Sequence, residues 1–182
     1  MSKSPDELLE QFRERQHELS AEYIRCQDIE DAARKLKAIL VAEDWDTVVL
    51  GSEVPDWVRD SCRDFAELLA DASNETSNEE WLKAASYARV GITHTEALIA
   101  DTGTLVQPSR VRGDRMASLI PPNHIALIFG AVIHETLAEY LGDADPTLTH
   151  QFITGPSRTA DIEKQLVVGV HGPVRLLIFG PD

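Results

Sequence analysis

The chain has 182 residues, 43% of them hydrophobic and 26% charged, so it is long enough for one sizeable domain and short for two. Its 31 acidic residues outnumber the 17 basic ones and give a formal net charge of −14. This charge argues against a broad nucleic-acid footprint and against binding to an anionic membrane surface. Arg110, Arg112 and Arg115 form the only locally basic cluster.

Metal binding and membrane insertion both lack support in the sequence. Only two cysteines are present, Cys26 and Cys62, and neither belongs to a CxxC pattern. Two thiolates cannot hold an iron–sulfur cluster alone, and the histidines show no ligand-like spacing, so we expect no metal in this chain. The first residues lack the apolar core of a signal peptide, and no apolar run reaches the roughly 18 residues of a membrane span. A cytoplasmic location is therefore expected.

The first 45 residues predict two amphipathic helices. From Pro5 to Tyr23 apolar residues recur near helical spacing, and Asp28 is the expected N-cap of a second helix. Together they are expected to form an N-terminal helical arm over residues 1–45, ahead of an α/β domain over residues 46–182. Such an arm needs a surface to lie on, either its own domain or another subunit, so a homo-oligomer is one outcome.

Residues 46–90 predict one strand and two helices. The run 47–51 is short, rich in β-branched residues and closed by glycine, which suits a buried strand. A helix is expected over residues 55–70, because Pro55 can occupy its first turn. Ser77 and Glu80 then make a capping-box pattern that begins the next helix.

From residue 89 onward the pattern becomes richer in strands. A helix over Glu135–Leu141 is expected to stop at Gly142. Because strands alternate with helices and several strands are apolar throughout, the sequence predicts a mostly parallel sheet covered on both faces, a three-layer α/β/α fold. The predicted strands cover residues 89–93, 98–100 with a continuation over 104–107, 124–132, 151–154 and 174–179.

Polar residues follow several of these predicted strands. The loops at the carboxyl ends of parallel strands share one edge of a sheet, where ligands usually bind. We therefore expect Asp101–Thr104 and Gly155–Thr159 to face each other across one pocket, with His171 on its rim. The candidate ligand-binding residues are Thr93, Asp101, Thr102, Gly103, Thr104, Gly155, Ser157, Arg158, Thr159, Asp161, His171 and Gly172.

The same residues also have a purely structural explanation. Ser157 or Thr159 could cap a helix with Asp161 in its first turn, and His171 with Gly172 could shape the turn before the last strand. The Gly-Pro-Ser-Arg-Thr turn is similar to an anion cradle, but the acids that follow it would repel a phosphate unless arginines compensated.

No strong catalytic motif is present, and no catalytic residue is assigned. The sequence contains no GxSxG, P-loop or GxGxxG pattern. His134 and Glu135 begin like a zinc-protease helix, but Ala138 occupies the place of the second histidine. His124, alone before an apolar strand, is interpreted as a turn or hydrogen-bonding residue rather than a ligand.

Five motifs resemble those of the LUD-domain family and run in the family's order, and the lack of ferredoxin-like cysteine runs is similar to its small, cluster-free LutC-like branch. The resemblance implies a three-layer fold similar to the NagB/RpiA/CoA-transferase superfamily. It also implies a cytoplasmic role in lactate utilization, the oxidation of L-lactate to pyruvate, alongside two iron–sulfur partner proteins. The motifs are Gly91–Thr93, Ile99–Val106, Ser118–Ile125, Gly155–Glu163 and Gly169–Pro173.

Two functions of different classes follow from these observations. In the first, the protein is an accessory subunit of a lactate-oxidising complex whose iron–sulfur clusters belong to its partners. In the second, it is an enzyme or sensor of its own, with a pocket for a small carboxylate, a phosphosugar or a CoA ester. The absence of a cofactor fingerprint favours the first function, and the clustered hydroxyl and acid motifs favour the second.

Overall fold

The computed structural model describes residues 3–74, 77–160, 166–168 and 172–182. Helices and strands alternate along most of this length. The helices are α1 (Pro5–Glu18), α2 (Ile29–Ala42), α3 (Asp56–Arg63), α4 (Asn78–Tyr87), α5 (Arg112–Leu119) and α6 (Leu137–Asp143). The strands are β1 (Glu22–Cys26), β2 (Thr47–Leu50), β3 (Glu67–Asp71), β4 (Val90–His94), β5 (Ala97–Ile99), β6 (Thr104–Ser109), β7 (Asn123–Leu127), β8 (Val132–His134), β9 (Thr149–Ile153), β10 (Arg158–Ala160), β11 (Leu166–Val168) and β12 (Arg175–Pro181).

A six-stranded sheet forms the centre of the molecule, in the order β1-β12-β7-β4-β2-β3. Each neighbouring pair in it is parallel. Alternate residues of its strands point to opposite faces, and β7 is buried along its whole length. The predicted mostly parallel, covered sheet is thus confirmed.

Different elements cover the two faces of this sheet. On one face α2 and α3 pack against Leu50, Ile92 and Leu127, which are all fully buried. On the other face α4 and α5 cover the half that contains β2 and β3. Over the β7 and β12 half, α1 packs together with strands of a second sheet against Ala126 and Ile178. The three-layer arrangement follows from these contacts.

The second sheet has four strands in the order β8-β5-β6-β9. Its β5 and β6 form an antiparallel hairpin, in which Leu98 pairs with Leu105. The prediction that residues 104–107 continue the preceding strand is therefore wrong. Gly103 reverses the chain between them with a backbone φ of 66°, a conformation that glycine adopts without steric cost.

The N-terminal segment contains a strand as well as two helices. The helix predicted to reach Tyr23 ends at Glu18, and Ser20 then adopts a positive φ of 65°. The following strand, β1, pairs with β12 in the central sheet, and Phe12 and Leu36 are fully buried. Residues 1–45, predicted to be a helical arm, thus contribute a strand to the sheet and side chains to the core.

Three other predicted boundaries differ from the structure. The helix predicted over residues 55–70 stops at Arg63, and strand β3 follows it. The strand predicted over residues 124–132 is divided into β7 and β8 by a turn in which Gly130 has a φ of 81°. Gly142 lies inside α6 and not after its end.

Both predicted caps are confirmed, since the side chain of Asp28 caps α2 and Ser77 with Glu80 forms a capping box.

Candidate functional site

A cavity of about 170 Å³ lies between α5, the first residues of β7 and β12, and the segment that follows β9. His124 and Leu176, which pair in the sheet, form its floor. They are the second residues of their strands, so this cavity, the His124 cavity, lies toward the amino ends of β7 and β12. A site at the carboxyl edge was expected, and the geometry differs from that expectation. The lining residues are Ser118, Leu119, His124, Phe152, Ile153, Thr154, Gly155, Pro156, Ser157, Gly172, Pro173 and Leu176.

His124 is the titratable group of this lining, and it is almost completely buried. Its Nε2 lies 2.8 Å from the hydroxyl oxygen of Thr93, which is itself fully buried. Burial lowers the pKa of His124 to about 3, because a desolvated imidazole resists taking up a charge. The ring is therefore neutral at pH 7. Thr93, a predicted ligand-binding residue, lies behind His124 and holds its ring.

The close approach of α5 to the sheet places two further side chains over His124. A Cβ added at Gly91 on β4 would overlap the carbonyl oxygen of Ala117, so only glycine allows α5 to lie directly on this strand. Ser118 and Leu119, at the end of α5, consequently reach the cavity. The Ser118 hydroxyl donates to the carbonyl of Arg115 at 3.1 Å.

Two of the predicted loop motifs meet at the opposite wall. The backbone N–H of Ser157 donates to the carbonyl of Pro173 at 2.8 Å. A Cβ added at Gly172 would lie 3.3 Å from the Ser157 Cβ, and Gly155 has a φ of 86° beside Leu19. The predicted residues Gly155, Ser157 and Gly172 therefore lie together along one side of the cavity.

The other predicted motif, Asp101–Thr104, lies away from the cavity lining. It forms the turn of the β5–β6 hairpin, which packs against α1. The Arg15 Nε donates to the carbonyl of Asp101 at 3.2 Å, and the amide of Gln16 donates to the carbonyl of Gly103. The structure thus does not place the two motifs across one pocket, because the hairpin turn is occupied by the helix.

A chain of hydroxyl groups nevertheless connects the hairpin to the cavity. The hydroxyl of Thr102 lies 2.8 Å from that of Thr104, and the hydroxyl of Thr104 lies 2.7 Å from that of Thr154. Thr154 lines the cavity. Thr104 therefore contacts the cavity only indirectly, through its hydrogen bond with Thr154.

Four remaining candidates stay predictions. Asp161 and His171 lie outside the described residues. Arg158 and Thr159 belong to β10, which pairs with β11 in a separate two-stranded sheet. Any contact of these four residues with a ligand is a proposal for experiment.

Three polar side chains of the cavity lining, His124, Ser118 and Thr154, were not among the sequence candidates. His124 and Ser118 fall in the segment Ser118–Ile125, one of the five motifs that resemble the LUD-domain family. The available signal was a histidine within an otherwise apolar strand. Its role depends on the neighbouring strand, since Thr93 is the partner that fixes its ring, and strand order is not visible in the sequence.

A second, more open groove of about 380 Å³ surrounds Tyr140. The Tyr140 hydroxyl lies 2.6 Å from Nδ1 of His150, whose Nε2 lies 2.8 Å from the carbonyl of Asp145. Burial raises the pKa of Tyr140. Arg110 forms an ion pair with Glu96 here, at 2.5 Å. Arg110 is thus paired with an acid and is not part of the described lining of the His124 cavity.

The described residues contain no group of three or more His, Cys, Asp or Glu side chains arranged to hold a metal ion. Both cysteines are buried and unpaired. Burial raises the pKa of Cys62 to about 11, so this thiol is protonated and unreactive at neutral pH.

Among the described helices, none has the length and apolar character that crossing a membrane requires.

The central parallel sheet between helical layers, with a small second sheet beside it, defines an α/β domain of the three-layer class. A crystal structure of a DUF162 family protein from Deinococcus radiodurans has a similar fold, with a TM-score of 0.65 at 22% sequence identity over the whole of both chains. The model of the LUD domain matches residues 9–179. The chain therefore belongs to the LUD-domain family.

Proteins named lactate utilization protein C are similar over most of the chain. The one from Exiguobacterium sp. is 31% identical over an alignment of 188 positions, gaps included, which covers 95% of this chain and 77% of that protein. The one from Geobacillus thermodenitrificans is 33% identical, with coverage of 94% and 77%. The Bacillus subtilis protein is 40% identical over 108 residues, but these cover 53% of this chain and 44% of that protein.

Proposed function

We propose that this chain is an accessory component of an iron–sulfur system that oxidises L-lactate to pyruvate, and that the His124 cavity binds the small carboxylate. The relatives named lactate utilization protein C support the general role. The observation that carries the proposal is the cavity itself, where a neutral, buried imidazole lies beside hydroxyl groups and apolar side chains.

The volume of the cavity suits a small ligand. A cavity of about 170 Å³ holds the equivalent of several water molecules, each of which takes up about 30 Å³ of the liquid. A three-carbon hydroxy acid or keto acid fits this volume. A CoA ester or a phosphosugar, which the sequence left open, would extend out of the cavity through its open side.

The lining offers a suitable partner for each part of lactate. Thr154 and Ser157 present hydroxyl groups that can donate to a carboxylate, whereas the Ser118 hydroxyl already donates to the carbonyl of Arg115. Leu119 and Leu176 provide apolar contacts for the methyl group. A few convergent polar groups in a mostly apolar pocket are typical of small-molecule sites.

The oxidation of a hydroxy acid releases two electrons, which need an acceptor. In the proposed system the iron–sulfur clusters of the partner proteins accept them, and this chain is a non-catalytic or co-catalytic subunit that carries no cluster or other cofactor. Its proposed location is the cytoplasm, where such partners would be found. Neither nucleic acid nor membrane is a proposed partner, in keeping with the net charge of −14.

A stand-alone enzyme for a small carboxylate is the second candidate function. It is favoured by one observation, the hydrogen bond by which Thr93, behind the cavity, holds the ring of His124 in the lining. An imidazole held in one orientation can position the hydroxyl group of a bound substrate. In this case the isolated chain would turn over its substrate when given a soluble electron acceptor.

Reconstitution with purified components separates the two functions. The chain and its iron–sulfur partners would be purified separately, and reduction of a dye by L-lactate measured for each and for the mixture. The accessory role predicts that the mixed components elute together as one complex. It also predicts a higher rate for the mixture than for the partners alone. Turnover by the isolated chain would support the enzyme instead. A chain that neither binds the partners nor changes their rate would contradict the accessory role.

A further inference from the structure

We propose that the His124 cavity binds a monocarboxylate together with one proton, and that His124 holds this proton in the complex. The inference rests on the proposed function and deepens it, because it names what accompanies the anion into the cavity. Its basis is the balance of charge in the lining and the position of the histidine ring.

The described lining carries no formal charge. From α5 it receives Ser118 and Leu119, from β12 Leu176, and from β9 and the segment after it only uncharged residues. Thr93 on β4 is the side chain bonded to the ring, and it does not ionise. Moving a carboxylate from water into such surroundings without a counter-charge is strongly unfavourable. As far as the described lining is concerned, binding is therefore favourable only if a positive charge, or a proton, comes with the ligand.

His124 is the lining residue that can supply this charge. Its Nε2 is bonded to Thr93, and its Nδ1 forms no hydrogen bond with any described residue. A proton taken up at Nδ1 would give an N–H that donates to the carboxylate, while Nε2–H donates to the Thr93 oxygen, whose own hydrogen is free to turn elsewhere. The charges balance, because one anion and one proton enter together.

His124 carries no extra proton before the ligand binds, so the proton must be taken up from the solution. Because burial keeps the free ring neutral near pH 7, the imidazolium is formed only when the anion is bound. A nearby negative charge favours the charged form of histidine. Proton uptake and carboxylate binding therefore strengthen each other by the same factor, as linkage requires.

The test is isothermal titration of the full chain with L-lactate at pH 5.5, 6.5 and 7.5, in buffers of different ionisation enthalpy. The expected result is uptake of about one proton for each lactate bound, with affinity falling roughly tenfold for each unit of pH. Lactamide, the neutral isostere, serves as the control ligand. It should bind with no proton uptake and with an affinity that does not depend on pH.

The variant His124→Gln should lose the pH dependence of lactate binding while retaining lactamide binding, which also shows that the variant is folded. Lactate binding without proton uptake in the wild type would overturn the inference and leave the proposed function standing. So would a pH dependence that survives in His124→Gln. Failure of lactate to bind at any pH, with lactamide still bound, would overturn the proposed function and this inference together.

Discussion

Two turns of this protein share a local feature but differ in what they contact. The hairpin turn at Asp101–Gly103 and the segment Gly155–Ser157 each combine a glycine of positive φ with nearby hydroxyl groups. The first packs against Arg15 of α1 and fastens the hairpin to the helix. The second forms a wall of the His124 cavity. A glycine with adjacent hydroxyls thus marks a tight turn, and its surroundings decide whether the turn lines a cavity or packs against another part of the fold.

Replacing Gly103 should produce the largest effect on stability. In Gly103→Ala the new Cβ would lie 2.7 Å from the Arg15 Cβ, and the φ of 66° would be strained. We expect a loss of roughly 2–4 kcal/mol in the free energy of unfolding, measured with urea.

Gly142→Ala is the matched control for this prediction, because nothing lies within 4 Å of the Cβ it adds inside α6. A gain of up to about 1 kcal/mol is expected there. If Gly103→Ala unfolded like the wild type but no longer bound L-lactate, the hairpin turn would belong to the ligand site and the contrast between the two turns would fail.

The second prediction concerns the stability of the protein in acid. His124 has a pKa of about 3 when folded against 6.5 as the reference value, so the unfolded chain binds more protons between these values. The contribution of neutral His124 to stability is therefore fully present above pH 6.5 and is lost as the pH falls below this value. Between pH 7 and pH 5 this single histidine should lower the free energy of unfolding by about 2 kcal/mol.

The measurement compares the free energy of unfolding of the wild type and of His124→Gln at pH 7 and pH 5. The variant should lose about 2 kcal/mol less than the wild type over this interval, whatever its stability at pH 7. Equal losses in the two proteins would mean that His124 is not held neutral, and the description of the cavity would need revision.

The smallest expected effects separate the two turns directly. Ser157→Ala should weaken L-lactate binding about three- to tenfold, the equivalent of one hydrogen bond of roughly 0.5–1.5 kcal/mol, with a change in stability below about 0.5 kcal/mol. Asp101→Asn should change neither property, because the Asp101 side chain is exposed and only its carbonyl accepts from Arg15. Weaker L-lactate binding in Asp101→Asn, together with unchanged binding in Ser157→Ala, would reverse the assignment of the two turns.

The sequence revealed the local elements of the fold better than their partners. The caps at Asp28 and Ser77 were predicted correctly because they depend on side chains within one turn of a helix. The β5–β6 hairpin was misjudged, since the φ of Gly103 decides between a continued strand and a reversal. Strand β1 was missed because its pairing partner, β12, lies some 150 residues away along the chain.

The same distinction applies to the candidate site. Gly155, Ser157 and Gly172, which line the cavity, were candidates because glycines beside hydroxyls are conspicuous in a sequence. His124 was not identified, because its environment is created by Thr93 on one neighbouring strand and Leu176 on the other. Burial and strand order therefore determine its chemistry, and neither can be read from residue types alone.

The central claim, that L-lactate occupies the His124 cavity, is tested most directly by methyl NMR of the isolated chain. Leu119 and Leu176 line this cavity, whereas Val132 and Leu148 line the groove around Tyr140. Addition of L-lactate should shift the methyl signals of Leu119 and Leu176 with one common dissociation constant and leave those of Val132 and Leu148 unchanged. Shifts at Val132 and Leu148 alone, or at none of the four residues, would contradict the account.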